Sequence, residues 1–194
     1  MSITSRITSK RIIPWLEAGY DLFINKGQYA TNVELLARVL DRNKSAFYHF
    51  FGNRETYMEF LLNYHSTKVE SFIDEVKGIG QYDPHYINLL IKHHRIILFN
   101  SQLIKNGHNK LCDNAFREIN LRIDEHILPI WSKHVGLEHD PDLSKRYHHI
   151  IRDYMYLRVT PELINYDFLS ALASEAKLII TGLVYNKEIV KHEK

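Results

Sequence analysis

Lys44, Ser45, Tyr48 and His49 fall within six positions, at offsets that share one side of an α-helix. A cation, two hydroxyls and an imidazole on one face can meet phosphate oxygens and the edges of bases. Their neighbours Ala46, Phe47 and Phe50 point inward from the same helix. Arg42 stands just before it, either a solvated turn residue or a further contact, and is kept in the candidate set. The twelve histidines raise the question of a metal. The doublets His93-His94 and His148-His149 project about 100° apart on a helix, so neighbours are not expected to chelate together. No His-x-x-x-His or Glu-x-x-His pair is present, and neither metal nor other cofactor is expected. Catalytic chemistry finds no support either. There is no Ser-His-Asp motif, no Gly-rich phosphate loop and no cysteine in a reactive context, so no enzyme is expected.

The four residues need a short, exposed helix, and the flanking sequence supplies one. Asn43 is an N-cap, and Phe51-Gly52 ends the helix. Before it, Thr31-Asn32-Val33-Glu34 reads as a capping box that opens a helix with Val33, Leu36, Ala37 and Leu40 on one face. Asp41-Arg42 makes the turn between the two. An earlier helix starts near Lys10, takes Pro14 in its first turn and ends at Gly27, with Ile12, Leu16, Gly19 or Tyr20, and Phe23 at helical spacing. Residues 1–9 form an arm. Two helices joined by a three-residue turn place the second helix in a major groove with its N-terminal residues toward base edges.

The rest of the chain is helical as well. Asn53 caps a long helix with Met58, Leu61, Leu62, His65, Val69, Phe72 and Val76 in one stripe. Asp83-Pro84 is an N-cap followed by proline, so a fifth helix starts there, with Ile87, Leu90, Ile91, His94 and Ile97. The pattern breaks around Asn100–Gly107. Another helix spans about Lys110 to Lys133, with Pro129 near its end. Asp140-Pro141 opens one with Leu143, Tyr147, Ile150, Tyr154 and Leu157 on a face. A last helix runs from about Tyr166 to Lys191, with Leu169, Leu172, Ala173, Ala176, Ile179, Ile180 and Leu183.

Bulk composition agrees with a globular, all-α protein. Of 194 residues, 45% are hydrophobic and 25% charged, which argues against disorder. The net charge of +2 hides an asymmetry. Residues 1–54 hold eight Lys/Arg against four Asp/Glu, and the remainder 17 against 19. Positive charge gathered at one end suits a polyanion-binding head on a neutral body. The lone Cys112 cannot form an intramolecular disulfide, which favours a reducing compartment. No apolar run approaches the ~20 residues that span a bilayer. No signal-peptide core follows MSITSRITSKR, so a cytoplasmic protein is expected.

Residues 15–57 resemble the DNA-binding domain of TetR-family repressors. The resemblance rests on Leu22-Phe23, Gly27, Ala30-Thr31, Leu36-Ala37, Phe47-Tyr48-His49-Phe50-Phe51 and Arg54-Glu55, without a gap. It implies an N-terminal three-helix helix-turn-helix DNA-binding domain over 1–53 and a helical ligand-binding and dimerisation domain over 54–194. It implies that Lys44, Ser45, Tyr48 and His49 line the DNA face, with the Tyr48 hydroxyl on a phosphate. It also places Arg54 and Thr31 at the backbone, and lets an arm with Arg6 and Lys10 reach the minor groove. The turn departs from the family's common Gly-Val-Ser, with Asp41 where glycine often takes positive φ, and Ala46 lacks a hydroxyl that often meets DNA.

Aromatic and polar residues at helical spacing in the second domain, His94, Phe116, Trp131 and Tyr154, are candidates for a pocket that takes an unknown small-molecule effector. The last two helices carry more apolar surface than one small domain buries, and Ala171, Ala173, Ala176 and Gly182 would let a partner helix approach. A homodimer is expected, presenting two recognition helices about 34–36 Å apart, or a multiple of that, to a palindromic operator in double-stranded DNA. The reading is thus a ligand-responsive transcriptional repressor with no membrane association. The alternative is a helical small-molecule- or metal-binding bundle with a degenerate, non-functional DNA head.

Overall fold

The computed structural model describes residues 10–27 and 31–192, with side chains as far as Gly182. Every regular element among the described residues is helical, and no helix among them is long and apolar enough to cross a membrane. The expectations placed on Arg6, Ala30 and the Leu183 side chain lie outside the described residues. The chain forms two compact units, Met1–Ser71 with Arg95–Ile119 and Phe72–His94 with Asn120–Lys194.

In the first unit α1 (Ile13–Lys26) carries proline in its first turn and ends at Gly27, whose φ of 58° is the left-handed conformation glycine favours. Helix α2 (Val33–Val39) is capped by Asn32, whose side chain accepts from the Glu34 and Leu35 amides. The expected cap, Thr31, is one residue too early, because Asn32 has the extended backbone an N-cap needs. The turn that follows places Asp41 at φ 51°, the positive angle anticipated there. Helix α3 (Lys44–Phe51) starts on Asn43, whose Oδ1 accepts from the Ala46 amide at 2.9 Å. Helix α4 (Arg54–Val76) starts on Asn53 in the same way, with Thr56 as donor.

These elements close on one aromatic core. Phe47 and Phe51 from α3 meet Trp15 of α1 edge-on, at 5.7 and 6.5 Å, and both pack against Tyr57 of α4. Ile12, Leu16, Val33, Leu36, Ala37 and Phe60 fill the space around them. Burying each such side chain contributes about 1.5–3 kcal/mol. Gly19 is required by close approach: a Cβ there would sit 1.7 Å from the Tyr57 hydroxyl, which donates to the Trp15 carbonyl.

The fifth helix differs from expectation at both ends. Asp83 is not a cap. Its backbone is extended inside a π-helical turn, Tyr82–Tyr86, and its carboxylate accepts from Tyr166 and Ser170. Helix α5 (Ile87–Lys92) is therefore short and breaks at His93, whose Nε2 lies 2.9 Å from Glu75. Helix α6 (His94–Lys105) runs on through Asn100, where a break was expected. Asn100 is tolerated in the core because its Oδ1 faces His65 Nε2 at 3.4 Å, and His65 Nδ1 accepts from Tyr20. Phe99 stacks on both rings, so the first unit's core draws on α6 as well as α1 to α4.

The second unit takes α5, the C-terminal part of α7 (Lys110–Val135, with Pro129 inside), α8 (Pro141–Arg158) and α9 (Tyr166–His192). Asp140 caps α8 as expected, its Oδ1 accepting from the Leu143 amide at 3.0 Å. Trp131, Val135, Leu137, Ala176 and Ile180 form the core, and Trp131 Nε1 donates to the Ser144 carbonyl. The buried side of α8 is rotated from the expected one. Ser144, His148, Met155 and Tyr156 face inward, while Ile150, Tyr154 and Leu157 are 61%, 47% and 51% exposed. The rotation is explained by polar residues that find buried partners: Ser144 meets Ser132 at 2.6 Å and His148 faces Asp124. On α9, Ala173 and Ala176 are buried in the unit itself, so of the four small residues only Ala171 and Gly182 remain at the surface.

Candidate nucleic-acid interface

Helix α3 turns Phe47 and Phe51 into the core, so its other side must face out. Lys44, Ser45, Tyr48 and His49 are all exposed, and the phenol of Tyr48 packs edge-on against Phe47 at 5.5 Å. Arg42 in the turn, Arg38 on α2 and Arg54 at the start of α4 are exposed too. Thr31 is half-buried, and lines a shallow cleft of about 370 Å³ together with Arg54, Glu55, Met58 and Lys110.

Sequence reasoning missed one carboxylate on this face. Lys44 Nζ donates to Glu34 Oε1 at 2.9 Å, and the hydrogen bond and charge of Lys44 hold the Glu34 carboxyl below its ordinary value, with Arg38 and Arg54 adding to the effect. Glu34 is therefore paired with Lys44 and within electrostatic reach of Arg38 and Arg54. A group of cations of this kind has the charge and donors that a phosphate could meet, with Glu34 as an anion already among them. Glu34 was visible only as a capping-box residue. Its pairing with Lys44, ten positions on, depends on how α2 and α3 cross.

The four residues expected to line a pocket share none of the cavities described. His94 is exposed, with Nδ1 donating to the Ile91 carbonyl at 3.2 Å. Phe116 is buried in the first unit, and Trp131 in the core of the second. Tyr154 is exposed, with the Arg158 guanidinium 5.7 Å from its ring centre. The enclosed space of the second unit is lined instead by Tyr82, Tyr86, Ile87, His148, Arg152 and Met155, with other apolar residues. Its volume of about 20 Å³ holds one water and no organic effector.

A buried polar cluster lies beside that space. Asp124 Oδ2 accepts from Arg152 Nη1 at 2.7 Å and from His149 Nε2 at 2.9 Å, while Asp124 Oδ1 lies 3.4 Å from His148 Nδ1. Adjacent histidines thus reach the same carboxylate despite their 100° separation on the helix. The two imidazole rings have their centres 6.1 Å apart. No sequence signal links Asp124 on α7 to residues 24 and more positions later on α8.

No family model, no curated protein and no solved structure matches the chain.

Proposed function

We propose that this chain is a DNA-binding transcriptional regulator that reads duplex DNA with α3, in the manner of the TetR family its N-terminal sequence resembles. The observation that carries the reading is the two-sided build of α3. Phe47 and Phe51 fix it to the Trp15 core, and Lys44, Ser45, Tyr48 and His49 stand free of that core. In this reading α2 and α3 form a helix-turn-helix, Lys44, Ser45 and His49 face the major groove with Arg42 beside them, and the Tyr48 hydroxyl, Arg54 and Thr31 meet the backbone phosphates.

A homodimer accords with the surface of the second unit. Ile150, Tyr154 and Leu157 recur at i, i+4 and i+7 along α8, and Leu178 and Ile179 on α9 are 73% and 61% exposed. Exposed apolar stripes of this kind mark interaction surfaces, and a two-fold pair would address a palindromic operator. An effector of ordinary organic size requires the small enclosed space in the second unit to open, so effector binding would select a minor conformation. Repression released by such an effector is the regulatory mode this reading implies.

The Glu34–Lys44 pair favours a second reading, in which the head no longer binds DNA. Selection of bound duplexes from random DNA at low salt separates the two. The first reading predicts enrichment of a palindromic site by the unaltered chain and its loss in Lys44→Ala/Tyr48→Ala. Absence of enrichment, with the protein folded and dimeric, supports the second.

A further inference from the structure

We propose that Asp124, His148 and His149 form a site for a divalent transition metal, with Zn2+ as the best-fitting ion. One ligand atom from each of the three lies within 4.8 Å of the other two. Asp124 Oδ1 and His148 Nδ1 are both sealed from solvent and neither has a hydrogen-bond partner. Two buried polar atoms without a hydrogen bond are costly, and they lie 3.4 Å apart. An ion with bonds of ~2.0–2.1 Å sets neighbouring tetrahedral ligand atoms ~3.3–3.4 Å apart, and so satisfies both at once.

The chemistry of the donors agrees. Two imidazoles and one carboxylate form a borderline set that suits zinc better than calcium or magnesium. The adjoining space of about 20 Å³, lined in part by His148, matches a single water as fourth ligand. Arg152 takes the other carboxylate oxygen, Oδ2, and orients the group so that Oδ1 faces His148. On metal entry the Nε2 proton that His149 donates to Oδ2 is exchanged through solvent for one on Nδ1, a change of tautomer that leaves the ring neutral and frees the Nε2 lone pair for the ion.

The test uses the full chain, stripped of metal by chelator and shown to be folded by circular dichroism. Titration with Zn2+ alone should give one ion per chain and a higher melting temperature. Co2+ in its place should give the visible bands of a four-coordinate centre. His149 is half-exposed, so His149→Gln keeps the fold; it should weaken Zn2+ by at least about tenfold and remove the Co2+ bands. Asp124→Asn should do the same where it folds, and where it does not, His149→Gln decides alone. No Zn2+ uptake by the folded chain, or equal uptake by His149→Gln, overturns the site and leaves the cluster as an ion-pair network. Metal uptake is read without DNA, so this outcome and that of the DNA experiment are independent.

Discussion

Single side chains decide two properties that can be measured separately. Gly19 sits in α1 with no room for a Cβ, which would fall 1.7 Å from the Tyr57 hydroxyl. Gly19→Ala gains about 1 kcal/mol of helix propensity. Against that, it expels a buried tyrosine from its 2.8 Å hydrogen bond to Trp15. Overpacking and a lost buried hydrogen bond together cost more, and a net loss of about 2–3 kcal/mol is expected in urea unfolding. An unchanged midpoint would show that Tyr57 relocates freely. In the proposed function Glu34 limits affinity for DNA, while its exposed pair with Lys44 adds little to stability. Glu34→Gln frees Lys44 and removes an acid within reach of Lys44, Arg38 and Arg54. Duplex DNA should bind about two- to fivefold more tightly by fluorescence anisotropy. A weaker complex would mean that Glu34 positions Lys44 for the groove.

At the scale of elements, local chemistry determined most helix starts. Pro14, Gly27, Asn43, Asn53 and Asp140 each do what their residue type dictates, because capping is a contact between near neighbours. Asn43→Ala should cost about 1 kcal/mol and fray the first turn of α3, which carries Lys44 and Ser45. Hydrogen exchange of the Ala46 amide, the group that Asn43 accepts from, reports it; unaltered protection would show that the core alone holds α3 in place. The exposed face of α3 was legible for the same reason: it follows from spacing once Phe47 turns inward. What could not be read depends on partners distant in sequence. Asp83 resembles a cap, but Tyr166 and Ser170 take its carboxylate. Asn100 resembles a break, but His65 receives it. Ser144 and His148 resemble a polar face and lie inside, which rotates α8 and exposes Ile150, Tyr154 and Leu157. The Asp124 cluster was hidden in the same way.

For the molecule as a whole, the homodimer proposed above would pair through the exposed stripe on α8 and Leu178 on α9. Ile150→Arg/Leu178→Arg places two charges on surface that is already solvent-facing in one chain, so the fold should persist while the dimer dissociates. Sedimentation of the variant should give the mass of one chain against two for the unaltered protein; two masses that agree would assign those stripes no role in pairing. In the proposed function the side of α3 opposite Phe47 reads DNA. The salt dependence of duplex binding tests it most directly. The unaltered chain should bind in low salt and weaken linearly in log–log coordinates. Lys44→Ala should reduce the slope by about 1 and the affinity with it. A folded dimer that shows no DNA binding at low salt, or a slope indifferent to Lys44, would contradict the account.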